Sequence, residues 1–242
     1  MKILIIRHGD PDYAIDGLTE KGKREAELLS DRLVNEKIDK IYCSVLGRAK
    51  LTAKPTLERL GVDAEYCEWL KEFGTGKKIK LPYDEKAGCV WDILPEYVNT
   101  LPEIYSPTEW YNAEFLKGTW VKEDYDRVIA EFDKVLAEHG YERDGYNYKA
   151  VKPNHKTLVF VCHYGVTAVL LSHLLNCSPY SIWQNTVALT TSVTTIYTEE
   201  RREGIASMRC CGFSDISHLA VGGEEPAFAA RFCECYTDDT RH

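Results

Sequence analysis

The chain has 242 residues, of which 44% are hydrophobic and 28% charged, a composition typical of a folded globular protein rather than a disordered one. Its net charge of −8 argues against a general nucleic-acid surface, which requires clustered Lys and Arg. No apolar run reaches the roughly 18 residues of a membrane helix, so we expect no membrane span.

The first part of the chain alternates strand and helix patterns. Residues 2–6 are a continuous apolar run that predicts a buried strand, which a turn at Gly9 and Pro11 ends. Thr19 is a residue type that caps helices, and the apolar residues beyond it recur at helical spacing to about residue 35. The remaining predicted elements of this part are a strand at 40–44, a helix at 47–60 and a strand at 62–67.

Residues 73–124 interrupt this alternation. They are rich in proline and aromatic residues and predict an inserted segment of short helices and loops over one edge of the sheet. An amphipathic helix follows at 125–139, then a polar, turn-rich stretch at 140–154. The last predicted elements are a buried strand at 157–162, an apolar helix at 166–175 and a hairpin of strands at 192–198 and 204–211.

Together these elements predict the α/β class: a three-layer α/β/α sandwich with a mostly parallel sheet and one antiparallel edge strand. We expect a single domain over residues 1–242, in which the segment at about 73–124 forms a lid-like insertion over the edge that carries the functional site.

The cysteine content and the N-terminus indicate the compartment. The apolar run at the start of the chain is too short for a signal peptide, and Arg7 follows it at once. The nine cysteines are an odd number, so we expect reduced thiols and a cytoplasmic location. Cys210-Cys211 and Cys233-x-Cys235 lack the paired spacing of a zinc site, and we expect no metal ion.

Two histidines follow buried strands at the carboxyl edge of the predicted sheet, where α/β folds bind their ligands. His8 follows the first predicted strand, and His163 follows the strand at 157–162. Each is succeeded by a helix, whose first N–H groups receive anions. Arg7 and Arg48 lie at the same edge, because each is at or just beyond the end of a strand.

Two arginines and two histidines at one edge indicate phosphoryl transfer. Arginine is always charged and binds phosphate oxygens in a bidentate manner. A neutral imidazole attacks phosphorus as a nucleophile, and a second imidazole stabilises the charge that spreads over the oxygens. A carboxylic acid then protonates the leaving oxygen. These groups supply the positive charge themselves, so the pattern requires neither a metal nor a cofactor.

The order of these motifs resembles a known family. The segments that carry the resemblance are 6–9 (Ile-Arg-His-Gly), 18–22 (Leu-Thr-Glu-Lys-Gly), 41–49, 70–72 (Leu-Lys-Glu), 161–165 (Val-Cys-His-Tyr-Gly), 191–194 and 215–219. In this order they resemble branch 1 of the histidine phosphatase superfamily, the phosphoglycerate mutase-like group. The resemblance covers nearly the whole chain except about residues 75–155.

This resemblance implies roles for individual residues. His8 is expected to be the nucleophile, Glu72 the general acid, and His163 a catalytic residue that also contacts phosphate. The expected phosphate contacts are Arg7, Arg48, His163, Gly9 and Tyr164. The implied activity is metal-independent hydrolysis of a small phosphorylated metabolite through a phosphohistidine.

The sequence departs from the family pattern in the loop after the first histidine. Many members have a hydroxyl residue and an asparagine where this chain has Pro11 and Ala14, and the loop is shorter. Phe73-Gly74-Thr75-Gly76 replaces the basic and aromatic set that mutases carry after the acid, which favours hydrolysis over transfer.

Several alternatives remain open at this stage. A phosphoglycerate-type mutase shares the fold and chemistry, and a non-catalytic module that binds a phosphorylated ligand would keep the same pocket. Asp84, Glu85 and Asp92 are rivals to Glu72 as the acid. The sequence identifies neither the substrate nor the oligomeric state, a homodimer included.

Overall fold

The computed structural model describes residues 1–84, 87–228 and 231–238. Its strands are β1 (Lys2–Arg7), β2 (Pro11–Asp12), β3 (Gly17–Leu18), β4 (Lys40–Ser44), β5 (Glu65–Cys67), β6 (Ile79–Lys80), β7 (Ala87–Gly88), β8 (Tyr141–Asp144), β9 (Asn147–Ala150), β10 (Thr157–Cys162), β11 (Val193–Arg202) and β12 (Ile205–Asp215). Its α-helices are α1 (Glu20–Leu33), α2 (Gly47–Leu60), α3 (Pro95–Val98), α4 (Val121–Glu138), α5 (Tyr164–Leu175), α6 (Pro179–Trp183) and α7 (Ser217–Val221).

Eight of these strands form one sheet in the order β5-β4-β10-β1-β11-β12-β9-β8. The pairs from β5 to β1 are parallel, and those from β1 to β8 are antiparallel. The α/β class and the parallel core are therefore confirmed. The expected single antiparallel edge strand is corrected to four antiparallel strands, because the stretch at 140–154 folds as the β8–β9 hairpin and extends the sheet beyond β12.

Alternation along the central strands explains why helices cover both faces of the sheet. Ile3 and Ile5 belong to the core on the side of α4 and α5, whereas Leu4 and Ile6 belong to a second core with residues of α1 and α2. Strands buried on both faces read as uninterrupted apolar runs, and this is the pattern that the sequence shows for β1 and β10. The four helices thus fix the sheet from both sides.

The inserted segment is built into the larger of these cores. Trp110 and Ile104 are almost completely buried and belong to the same cluster as Phe160 of the central strand β10. Buried aromatic rings supply much of the apolar area that stabilises such a segment. The insertion is thus a packed part of the domain rather than a loop resting on its surface.

Several boundaries differ from the predicted ones. Helix α4 begins four residues earlier than expected, at Val121, and β5 is limited to three residues. The short helix α6 was missed because its five residues are too few to show periodicity. Strands β11 and β12 are longer than predicted and include much of the charged stretch at 199–203.

Within the described residues, every helix is too short or too polar to pass through a lipid bilayer.

Helix α1 meets the loop after β1 at a glycine. Thr19 caps this helix by accepting a hydrogen bond from the Gly22 N–H at 3.0 Å. A Cβ at position 22 would lie 2.2 Å from the carbonyl oxygen of Asp10, closer than any side chain tolerates. The absence of a side chain at Gly22 therefore sets how closely the loop that follows His8 packs on α1.

We expect Gly22→Ala to lower the free energy of unfolding by about 1–3 kcal/mol, since overpacking outweighs the roughly 1 kcal/mol that alanine gains in a helix. Urea unfolding measures this change. Gly212→Ala is the matched control, because a Cβ there meets nothing within 4 Å, and it should be neutral or stabilising by up to about 1 kcal/mol. Equal stability of the Gly22→Ala protein and the wild type would contradict the close contact.

Candidate active site

The parallel pairing of β1 and β10 brings the two predicted histidines together. Arg7 lies opposite Cys162 in this pairing, so His8 and His163 leave the sheet as neighbours. Their ring centroids are 5.0 Å apart, and both side chains are almost completely buried. The carboxyl edge of the sheet therefore carries an imidazole pair.

The orientation of the His8 ring is fixed by its own loop. Its Nδ1 lies 2.7 Å from the carbonyl oxygen of Gly9, an acceptor, so Nδ1 carries the proton and donates it. The other nitrogen, Nε2, then has a free lone pair. The Gly9 N–H donates to the hydroxyl of Thr52 at 2.9 Å, which anchors this loop to α2. His8 is thus oriented as a nucleophile.

Burial and neighbouring charge keep His8 neutral. Burial is the larger cause that holds the pKa of His8 well below its usual range, and the positive charges of Arg7 and Arg48 lower it further. Desolvation is therefore the main reason why this imidazole is neutral, and the two arginines add to it. A neutral imidazole has the lone pair that an attack on phosphorus requires.

His163 is held by the end of the neighbouring strand. Its Nε2 lies 2.8 Å from the hydroxyl of Ser44, the last residue of β4. That hydroxyl also accepts from the Leu46 N–H. If it donates its own proton to Nε2, the ring proton of His163 lies on Nδ1. Burial is again the main cause that lowers the pKa of His163.

The two predicted arginines are both tethered beside the histidines. The Nη1 group of Arg7 donates to the Ala188 carbonyl at 2.6 Å. Arg48 binds the Asp16 carboxylate at 2.6 Å, and the other oxygen of Asp16 accepts from the Gly47 N–H at the start of α2. Tethering a guanidinium in advance reduces the entropy lost when it binds a phosphate group.

Glu72 lies at the same site with its carboxyl group desolvated. One oxygen, Oε1, accepts from the N–H groups of Phe73 at 2.9 Å and Val166 at 3.2 Å. Burial raises the pKa of Glu72 and outweighs the opposing effects of Phe73, Arg7 and Arg48. The residue keeps a partly exposed surface. A carboxyl group in this state is suited to act as a general acid near neutral pH.

The rivals of Glu72 occupy other positions. Asp84 is exposed on the insertion, and Asp92 follows Trp91 and affects Tyr164 electrostatically. Glu85 lies outside the described residues. The pKa of Glu72 is affected by both arginines of the site, Arg7 and Arg48.

Two further predicted phosphate contacts have protein partners of their own. The Gly9 backbone is engaged on both sides, by the His8 ring and by Thr52. The Tyr164 hydroxyl donates to the carbonyls of Thr186 at 2.6 Å and Trp183 at 2.9 Å. Gly9 thus orients the His8 ring, and Tyr164 is bound to α6 and the residues after it. Contact of Gly9 and Tyr164 with phosphate stays a prediction.

Residues that position the site were not identified from the sequence. Ser44 carries a usable signal, because it ends a buried strand at the carboxyl edge that ligands approach. Asp16 carries less signal, although its positive φ of 48° is a conformation that Asp tolerates in turns. Trp91 carries no signal that separates it from the other aromatic residues of the insertion.

The buried carboxylate of Glu25 was missed as well. It accepts from the Asp10 N–H at 2.8 Å, the Thr190 hydroxyl at 2.7 Å and the Ala227 N–H at 3.2 Å. It thereby joins α1 to the loop after His8 and to the segment whose Ala188 carbonyl holds Arg7. Three donors satisfy a carboxylate that burial alone would make costly.

Three polar atoms of this cluster are buried and have no hydrogen-bond partner among the described residues. They are Nε of Arg7, Nε of Arg48 and Nδ1 of His163. Buried donors without partners are rare in folded proteins and point to a ligand that satisfies them. Within residues 1–84, 87–228 and 231–238, this cluster included, no three His, Cys, Asp or Glu residues are grouped as a metal site would need. Independence from metal stays a prediction.

Comparisons with known proteins agree with this chemistry. A family model described as the histidine phosphatase superfamily (branch 1) matches residues 3–210. Phosphoserine phosphatase 1 of Hydrogenobacter thermophilus is 27% identical over 57% of this chain and 66% of its own length. The adenosylcobalamin/alpha-ribazole phosphatase of Salmonella typhimurium is 24% identical over 76% of this chain and 84% of its own.

A solved structure shares the fold. A phosphoserine phosphatase mutant of Entamoeba histolytica, in complex with phosphoserine, superposes with a TM-score of 0.61 at 19% identity. The superposition covers 90% of this chain and 98% of that one.

The lowered pKa values of His8 and His163 predict a loss of stability in mild acid. Below about pH 6.5 the unfolded chain binds protons on both rings that the folded protein excludes, so stability falls as the pH falls, by roughly 1 kcal/mol per pH unit for each excluded proton. Urea unfolding from pH 7.5 to 5 should show this extra slope in the wild type but not in the His8→Gln/His163→Gln protein. Carboxyl groups cancel in the comparison because both proteins contain them.

His155→Gln is the control for this measurement, since His155 is exposed and its removal should leave the slope unchanged. Parallel stability curves for the wild type and the double variant would contradict the neutral, buried imidazole pair.

Proposed function

The chain belongs to the histidine phosphatase superfamily, and from that premise we propose that it is a phosphomonoester hydrolase in which His8 forms a phosphohistidine and no metal ion takes part. The observation that carries the proposal is the group of three buried, unpartnered nitrogens on Arg7, Arg48 and His163. They belong to the same cluster as His8, whose Nε2 has the free lone pair. A phosphoryl group offers the oxygen acceptors that all three require.

The first chemical step forms the enzyme intermediate. His8 Nε2 attacks phosphorus, and the bond between phosphorus and the ester oxygen breaks. Glu72 gives its proton to the leaving oxygen, so the alcohol departs uncharged and the carboxylate remains. The two guanidinium groups and His163 Nδ1–H stabilise the charge on the transferring oxygens.

The second step reverses these roles. The Glu72 carboxylate accepts a proton from water while that water attacks the phosphohistidine. The bond between phosphorus and Nε2 breaks, inorganic phosphate leaves, and the free imidazole of His8 and the acid form of Glu72 are restored. One water is consumed for each phosphate released.

The substrate class is inferred from the groups in the cluster and from the relatives. The names of the two curated relatives refer to phosphoserine, adenosylcobalamin and α-ribazole, and the solved neighbour holds phosphoserine. These are small molecules, and the compact cluster of two arginines and two histidines suits a single phosphoryl group. We therefore propose a small phosphorylated metabolite as substrate.

We expect His8→Ala to lower phosphate release from p-nitrophenyl phosphate and from a panel of metabolite phosphates by at least about 10³-fold, since the nucleophile is lost. Release by the wild type should persist in excess EDTA. His155→Ala is the matched control, because this exposed histidine lies outside the cluster, and it should retain the wild-type rate. Wild-type enzyme quenched in alkali during turnover should show the ³¹P NMR resonance of phosphohistidine, which is stable to base, and the His8→Ala protein should not.

Other outcomes separate the rival functions. Full activity of His8→Ala would refute the mechanism, and activity abolished by EDTA would show that a metal does the chemistry. A phosphoryl group transferred between substrate molecules without release would identify a mutase. Thermal stabilisation by a phosphorylated ligand without any turnover would identify a binding module.

A further inference from the structure

Trp91 is where the inserted segment reaches the catalytic cluster. A Cβ at position 165 would lie 2.5 Å from Cζ3 of Trp91 and 2.7 Å from Oε1 of Glu72. The six-membered ring of the indole and the carboxylate therefore both pack against the bare backbone of Gly165 at the start of α5. A glycine at this position lets an apolar ring approach the acid.

The indole is fixed in this position by α6 and its neighbours. The Trp91 carbonyl accepts from the side chain of Gln184 at 2.7 Å, and the ring packs against Trp183 with centroids 6.0 Å apart. The Tyr180 hydroxyl holds the preceding carbonyl, that of Val90, at 3.0 Å. Trp91 is thus a half-buried ring with a defined place rather than a freely rotating surface residue.

We propose that Trp91 is a positioning residue that excludes water from Glu72 and so keeps this acid protonated until the leaving group takes the proton. The inference rests on the proposed function, in which Glu72 is the general acid. Both backbone N–H groups bind Oε1, so Oε2 is the oxygen that carries the proton. An apolar ring beside a carboxyl group favours its neutral form because the charged form loses hydration.

The charged groups around Glu72 act in the opposite direction. Arg7 from β1 and Arg48 from α2 both favour the carboxylate. Cys162 of β10 and Tyr164 of α5 also face Glu72, but burial raises the pKa of each to about 12, so both are neutral at pH 7. Asp92 acts on Tyr164 from the insertion. The balance thus lies between desolvation and the two arginines.

Removing the indole should lower the pKa of Glu72, because desolvation would weaken while the two arginines would still favour the carboxylate. Water would reach the carboxyl group, its pKa would fall, and the acid would lose its proton at a lower pH. The effect depends on the leaving group, because an aliphatic alkoxide needs a proton to depart whereas p-nitrophenolate leaves without one. A variant whose site is merely less well packed would hydrolyse both kinds of substrate more slowly.

The test compares Trp91→Phe and Trp91→Ala with the wild type on β-glycerophosphate and p-nitrophenyl phosphate across pH 5–9. In Trp91→Ala, we expect the pH above which kcat for β-glycerophosphate falls (the basic limb) to decrease by about one unit, which is a tenfold loss of kcat at pH values above the limb. The kcat for p-nitrophenyl phosphate should change by less than about twofold. Trp91→Phe keeps an aromatic ring beside Trp183 but lacks the reach to Gly165, so its basic limb should shift in the same direction while the fold stays intact.

Trp120→Phe is the matched control. Trp120 is a half-buried tryptophan of the same segment that packs on Gly74 and Phe73. Its replacement should leave the basic limb unchanged.

A second readout does not depend on turnover. The pKa of Glu72, followed by NMR of ¹³C-labelled glutamate and assigned with Glu72→Gln, should be lower in both Trp91 variants. If Glu72→Gln abolishes hydrolysis of β-glycerophosphate while the Trp91 variants keep both the limb and the Glu72 titration of the wild type, the inference fails and the proposed function stands. If Glu72→Gln keeps the wild-type rate on β-glycerophosphate, the assignment of the acid fails and the inference fails with it.

Discussion

The parallel pairing of β1 with β10 sets Arg7 opposite Cys162, so the residue that follows each of them leaves the sheet at the same level. His8 and His163 are these residues, and their rings lie 5.0 Å apart. A one-residue slip in this register would turn the apolar side chains of β1 to the wrong faces and separate the histidines. The two apolar cores that hold the register are therefore also what holds the imidazole pair.

Burial gives the histidines and the glutamate opposite charge preferences from one physical cause. Desolvation penalises whichever form is charged, so it lowers the pKa of His8 and raises that of Glu72. Both shifts suit the proposed reaction, in which a neutral imidazole attacks phosphorus and a protonated carboxyl group gives up its proton. The nearby arginines reinforce the first shift and oppose the second.

Two segments outside the central sheet reach the residues of the site. The loop at 11–18 brings Asp16 onto Arg48 and the start of α2. The insertion brings Trp91 onto Gly165, which Glu72 also approaches. Both contacts join parts of the chain outside the central sheet to residues of the site.

The sequence by itself determined the two central strands, the helices α1 and α2, and the order of Arg7, His8, Arg48 and His163 at one sheet edge. These follow from local patterns: uninterrupted apolar runs, helical periodicity and the position of a residue just beyond a strand. It underestimated the antiparallel half of the sheet, since β8 and β9 are half exposed and their polar residues resemble a loop.

Only the tertiary structure decided which groups hold the site in place. Ser44 meets His163 across 119 positions of the chain, Glu25 meets Thr190 across 165, and Trp91 and Glu72 both approach the bare backbone of Gly165. No local pattern encodes such contacts, because each depends on how separate elements pack. The degree of burial was hidden for the same reason, and burial is what lowers the pKa of His8 and raises that of Glu72.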